Sequence, residues 1–114
     1  MTLDQFKEKL KNNPTAIAFT DTMQVIEDNY TFTPTAFKNG SLENKEGENS
    51  GSCKLFAFAL KQELSKEETL ACFGDYYRKD VLQDPEGNGH LNIRNFMQTG
   101  FNGLVFSVDA LKEK

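Results

Sequence analysis

Along the first third of the chain, apolar residues recur at helical spacing and then switch to alternation. Leu3, Phe6 and Leu10 stand at i, i+3 and i+7, with Asp4, Lys7, Glu8 and Lys11 between them. That pattern predicts a short amphipathic helix. Asn12, Asn13 and Pro14 stop it, since proline disfavours a helical residue before it. Phe19, Met23, Ile26 and Tyr30 fall at i, i+4, i+7 and i+11 and predict a second helix from about Thr20. Its end carries Glu27 and Asp28, where the helix dipole disfavours negative charge, so these read as a solvated acidic face. From Tyr30 the period drops to two: Tyr30 and Phe32 alternate with Thr31, Thr33 and Thr35, as in a strand. Pro34 lacks an amide donor and puts that strand at an edge or an end. Asn39-Gly40 offers two adjacent positions that tolerate positive φ, predicting a hairpin turn between Phe37-Lys38 and Ser41-Leu42. Glu43 to Ser52 is almost wholly polar and reads as a loop.

The segment from Cys53 to Leu64 is the most apolar helix. Phe56, Leu60 and Leu64 form one stripe, Leu55, Phe58 and Ala59 cover much of the rest, and Lys54 and Lys61 share a narrow wet side. A helix apolar nearly all round is expected at the centre of the fold. Ser65 followed by Glu68 is a capping box. It predicts a helix to about Gln83 with Leu70, Phe73, Tyr77 and Val81 on its stripe and Gly74 at a close packing contact. Asp84 to Gly89 reads as a loop. Asn92 is the expected cap of a short helix through Phe96 and Met97 that ends at Gly100. Phe101 to Phe106 is a candidate strand, and Val108 to Lys112 a last half-turn. No internal repeat is visible. Helices separated by a hairpin and a late strand predict one α+β domain over residues 1–114, with several short helices around a central buried helix and a small antiparallel sheet.

Composition narrows the function. The chain has 114 residues, ten Phe and no Trp, and 13 Lys+Arg against 17 Asp+Glu. That acidic balance gives no electrostatic footprint for nucleic acid, which calls for a basic stripe. No stretch approaches the roughly 20 apolar residues of a membrane span, so neither nucleic acid nor membrane is an expected partner. The N-terminal segment MTLDQFKEKLKNNP has no apolar core of a signal peptide. Two cysteines do not make a disulfide framework, and reduced Cys53 and Cys72 in a cytosol are expected.

Four phrases resemble one family: FTDTMQVIEDNYTFTPTAFKNG, NSGSCKLFAFAL, ETLACFGDYYRKDVL and HLNIRNFMQTGFNG, which begin at Phe19, Asn49, Glu68 and His90. Together they resemble the HopJ type III effector family of small bacterial proteins, in order and over nearly the whole chain. Gly89 stands where the family leads one to expect an acidic residue, and Phe101 where it leads one to expect Trp. The resemblance implies no catalytic residue, cofactor or substrate. The effector name implies export into a host cell and a host protein as partner. The helical pattern starts at Leu3, however, so only Met1 and Thr2 precede it, and the expectation is a protein of the bacterial cytoplasm.

Four chemistries have candidate residues in the chain. Asp84, Glu86 and Asn88 stand at positions 1, 3 and 5 of a calcium-type loop, but position 12 is Asn95 instead of a bidentate Glu. His90 is the only histidine, and with Cys53 and Cys72 it lacks the spacing of a zinc site. No metal or cofactor is expected. Cys53 and His90 could form a nucleophile–base pair with Asn49 or Asn92 orienting the imidazole, the basis of an alternative reading as a small hydrolase or transferase. Against it stands Cys53 as a small buried residue in a core helix. Asn49, Ser50 and Ser52 before Lys54 are candidates for a small anionic ligand at a helix start. Arg78, His90 and Arg94 are candidates to complete that polar site. The leading expectation is a non-enzymatic binding or interaction domain.

Overall fold

The computed structural model describes all of residues 1–114. Helix α1 (Leu3–Asn12) begins in a reciprocal cap: Thr2 Oγ1 accepts from the Gln5 amide and Gln5 Oε1 accepts from the Thr2 amide. It buries Phe6 and Leu10 as the spacing predicts. One 3-10 turn (Pro14–Ala16) leads to α2 (Phe19–Asn29), whose start is held by the Asp21 carboxylate accepting from the Ala18 amide at 3.0 Å. Tyr30 lies in β1 (Tyr30–Phe32) and not in the helix.

The central helix α3 (Ser50–Gln62) starts three residues earlier than its apolar run suggests. Cys53, Leu55, Phe56, Ala57, Phe58 and Ala59 are buried, so it is the core helix expected. Leu60, expected on its buried stripe, is 44% exposed. Phenylalanine dominates the interior. Phe56 packs against Phe37, Phe73 and Phe96, and Phe58 against Phe6 and Tyr30. Full burial of each such ring is worth about 1.5–3 kcal/mol.

Two antiparallel sheets replace the single one expected. In one, β1 pairs with β5 (Leu111–Glu113), the segment expected to be a half-turn. The other has the order β3–β2–β4 from Leu42–Asn44, Phe37–Asn39 and Leu104–Phe106. Asn39 pairs with Leu42, so the hairpin turns on Gly40-Ser41 and not on Asn39-Gly40. Gly40 alone supplies the positive φ, +61°. Asn39 thereby becomes a buried strand residue. Residues 101–103, expected to open the last strand, form a 3-10 turn with Gly100.

The long helix expected after Ser65 is broken. The Ser65–Glu68 capping box does start α4, but it covers only Lys66–Ala71. Gly74 then adopts φ +63°, and the chain resumes as a π-helix over Tyr76–Val81. A side chain at Gly74 would bring its Cβ to 2.7 Å from the Phe19 amide nitrogen. The close packing expected of Gly74 is therefore real, but the residue ends one helix instead of sitting within it. Helix α5 (Leu91–Thr99) completes the set.

Candidate functional site

A cavity of about 490 Å³ opens where α3 and α5 begin. Phe19, Phe73 and Tyr76 form an aromatic wall, and Leu42, Leu91 and Ile93 extend its apolar surface. Asn49, Ser52, Asn88, His90 and Asn92 line the polar side. The break at Gly74 builds that wall: it lets the backbone at Phe19 approach and turns the π-helix so that Tyr76 meets Phe19 edge-on at 5.2 Å.

Both helices enter the cavity through left-handed residues. Asn49 (φ 51°, ψ 46°) precedes α3 and His90 (φ 55°, ψ 52°) precedes α5, and neither side chain caps its own helix. Such a backbone costs a non-glycine residue of order 1–3 kcal/mol, and it tends to collect at functional sites. The Asn49 side chain donates instead to Asn44 Oδ1 at 2.7 Å. His90 Nε2 lies 3.1 Å from Asp80 Oδ2 on the π-helix, and its ring leans on Tyr76 at 5.2 Å. An ionised carboxylate only accepts, so in this pair Nε2 carries the hydrogen and Nδ1 is the ring's other polar atom. The first-turn amides of Ser50, Gly51, Ser52, Leu91 and Asn92 have no acceptor within the chain. Unsatisfied first-turn amides and the helix dipole favour an anionic or hydrogen-bond-accepting group.

Behind this surface lies a cluster of asparagines. Asn39 Nδ2 donates to Asn92 O at 2.7 Å and to Asn92 Oδ1 at 3.1 Å. Asn44 and Asn92 exchange side-chain bonds at 3.2 and 3.0 Å. Asn92, expected as the cap of α5, is instead buried as the second residue of the helix, and His90 takes the cap position.

Of the residues expected to form a polar site, the cavity gathers Asn49, Ser52 and His90. Ser50 faces away, its hydroxyl donating to Gly47 O at 3.4 Å. Lys54 lies over the Phe32 ring, 4.9 Å from its centre. Arg78 donates to Ile17 O at 2.7 Å and pairs with Asp75, in a separate hollow beyond Tyr76. Arg94 donates to Gly89 O and Asp84 O and lies 4.0 Å from Asp84 Oδ2. Its guanidinium is thus held against the 84–89 loop, beside the first residue of the calcium-type pattern. No cluster of three His, Cys, Asp or Glu side chains able to hold a metal ion is present.

Cys53 does not line the cavity. It is 1% exposed, its Sγ donates to Thr35 O at 3.6 Å, and desolvation pushes the thiol pKa up despite that bond and Lys54. The imidazole is oriented by Asp80, not by Asn49 or Asn92. Asp80 was not among the expected partners of His90. Phe19 and Phe73 were expected only in the apolar stripes of their helices, Leu42 only beside the hairpin turn, and Asn88 only in the calcium-type loop.

The sequence profile of the HopJ type III effector proteins matches residues 3–111. The chain belongs to the HopJ family. Among solved structures, the crystal structure of the unknown function protein VPA0580 is 57% identical, with a TM-score of 0.98 over 100% of this chain and 95% of that one. No curated protein matches it. The HopJ name thus attaches to a fold and a sequence pattern, and no helix of this HopJ chain is long and apolar enough to cross a membrane.

Proposed function

We propose that this HopJ-family chain is a non-enzymatic binding domain whose site is the cavity at the starts of α3 and α5. Its ligand is a small molecule with an apolar, preferably aromatic, body and an anionic or hydrogen-bond-accepting head. The cavity carries this reading: about 490 Å³ lies in the range of small-molecule sites, roughly 300–1,000 Å³. Its two sides suit two halves of one ligand. The body would lie on Phe19, Phe73 and Tyr76, and the head would meet the first-turn amides of α3 and α5 beside His90. The non-catalytic part is supported by the burial and raised pKa of Cys53, which remove the nucleophile of the alternative hydrolase or transferase reading. On this proposal the protein works in the bacterial cytoplasm, and a host protein becomes its partner only where the effector name applies.

The test is a titration followed by amide NMR, with benzoate and phenyl phosphate as probes. Shifts should concentrate at Ser50–Ser52, Leu91, Asn92 and Tyr76. They should weaken in Tyr76→Ala, whose side chain is 44% exposed and removable without opening the core. Shifts that gather elsewhere, or that are unchanged in Tyr76→Ala, would overturn the reading.

A further inference from the structure

Three Asn-Gly pairs occur in the chain, at Asn39-Gly40, Asn88-Gly89 and Asn102-Gly103. Asn-Gly is chemically labile, because an unhindered glycine amide nitrogen can attack the preceding side-chain amide. Reaction requires that the side chain be free to rotate, that the glycine N–H be unbonded and that the backbone be free to bring the two together. The fold treats the three pairs differently. Asn39 is fully buried, its Nδ2 is held by Asn92, and the Gly40 amide donates to Gly103 O at 2.9 Å. Asn102 is exposed but lies inside the 3-10 turn over residues 100–103. Gly103 there is wedged so tightly that a Cβ would come within 2.9 Å of the Gly40 nitrogen. Asn88 is exposed in a loop, its side chain makes no hydrogen bond, and the Gly89 amide has no acceptor. A Cβ at Gly89 would meet nothing within 4 Å.

We propose that Asn88 is a self-modification site, where spontaneous deamidation places a carboxylate on the wall of the α3–α5 cavity. The Gly89 nitrogen forms a bond to Asn88 Cγ, and the Cγ–Nδ2 bond breaks. Ammonia leaves, taking up the Gly89 amide hydrogen, and a cyclic imide remains. One water then adds to either imide carbonyl, and that carbon's bond to the Gly89 nitrogen breaks. Its oxygen becomes part of the new carboxyl group, one hydrogen returns to the Gly89 nitrogen, and the other is released as the acid ionises. The products are aspartate and isoaspartate at position 88, and no redox partner is needed. Asn88 lines the cavity directly and stands two residues before His90, which opens α5. The new charge would therefore oppose an anionic head. That consequence, unlike the modification, rests on the proposed function.

Peptide mass mapping of the intact native protein, aged at mildly alkaline pH, tests the modification. A gain of one dalton should appear at Asn88 well before Asn102 and be absent at Asn39. Gly89→Ala, for which the fold has space, should slow the gain at Asn88 several-fold while leaving Asn102 unchanged. A gain that appears first at Asn102 or Asn39, or that proceeds equally fast in Gly89→Ala, would overturn the proposal. The consequence is read separately by titrating aged and fresh protein with phenyl phosphate. Weaker binding after ageing supports it, and equal binding refutes it while leaving the mass map to decide the modification.

Discussion

Replacing Gly74 with alanine should be among the most damaging single-methyl additions to this chain, and its cost can be built from two separable parts. Gly74 holds φ +63°. For an L-residue, left-handed helical backbone costs roughly 1–2 kcal/mol, partly offset by about 0.4–1 kcal/mol from a stiffer unfolded chain. The second part is steric. The new Cβ would lie 2.7 Å from the Phe19 nitrogen and 3.2 Å from two Ala18 backbone atoms. These are backbone atoms and cannot rotate aside, so the start of α2 must move, at about 1–3 kcal/mol for overpacking of this kind. Together the parts give about 1–5 kcal/mol, a large share of the ~5–15 kcal/mol that holds a domain of this size. Gly47 is the control, because its φ is +87° yet nothing lies within 4 Å of its would-be Cβ. Urea unfolding followed by circular dichroism should show a lower midpoint for Gly74→Ala than for Gly47→Ala at unchanged slope. Equal losses in the two variants would refute the steric account. Phe19 also walls the cavity, so Gly74→Ala should weaken phenyl phosphate binding at temperatures where it remains folded.

Asn92→Ala should cost about 1–3 kcal/mol, as chemical denaturation would measure, because it removes the buried Oδ1 that accepts from Asn44 and from Asn39 and leaves Asn39 only its bond to the backbone O of residue 92. Cys53 should resist iodoacetamide in the native protein and react only on unfolding, since burial both shields the thiol and raises its pKa. Fast native labelling would return the nucleophile reading to contention. Cys72 is fully buried and its thiol is pushed up from 9.0 to about 12, chiefly by desolvation. A folded-state pKa above the unfolded one favours the fold while the thiol is neutral in both states. That contribution is whole below about pH 9 and is lost as pH rises towards 12, by at most about 1.4 kcal/mol per pH unit. Alkaline denaturation of Cys72→Ala should show a shallower slope than the parent, and an identical slope would count against the assignment.

Much of the helical frame can be read from local pattern because its signals are local. The Thr2 and Ser65 caps lie three residues from their partners, and the apolar run after Cys53 announces its own burial. The start of α3 was hidden because Ser50, Gly51 and Ser52 carry no apolar period, and nothing in a sequence marks Asn49 as left-handed. Three-residue strands such as Leu111–Glu113 are too short to alternate visibly, and their existence depends on pairing with Tyr30–Phe32 some 80 positions away. The site divides the same way. Residue chemistry pointed to Asn49, Ser52 and His90, but only tertiary packing decides that Lys54 leans on Phe32 and Arg94 is held against the 84–89 loop. Asp80 meets His90 from a π-helix that follows the break at Gly74, and no spacing rule covers that.

The asparagine cluster explains why the cavity should be rigid. Asn44 on the hairpin holds Asn49 at the start of α3, while Asn39 and Asn44 together hold Asn92 in the first turn of α5. Asn95 donates in turn to Asn39 O at 3.1 Å. One hairpin therefore sets the relative position of both helix starts through bonds directed at particular atoms, which non-directional apolar contact could not do. The arrangement carries a cost, since Asn39 Oδ1 is buried without a donor, an omission worth about 1–3 kcal/mol. An apolar filling of the same volume would avoid that penalty but would leave the two helices free to slide. Polar groups retained in a core at a net cost are expected where position matters more than stability, and here they sit directly behind the only histidine and the free amides of α3 and α5.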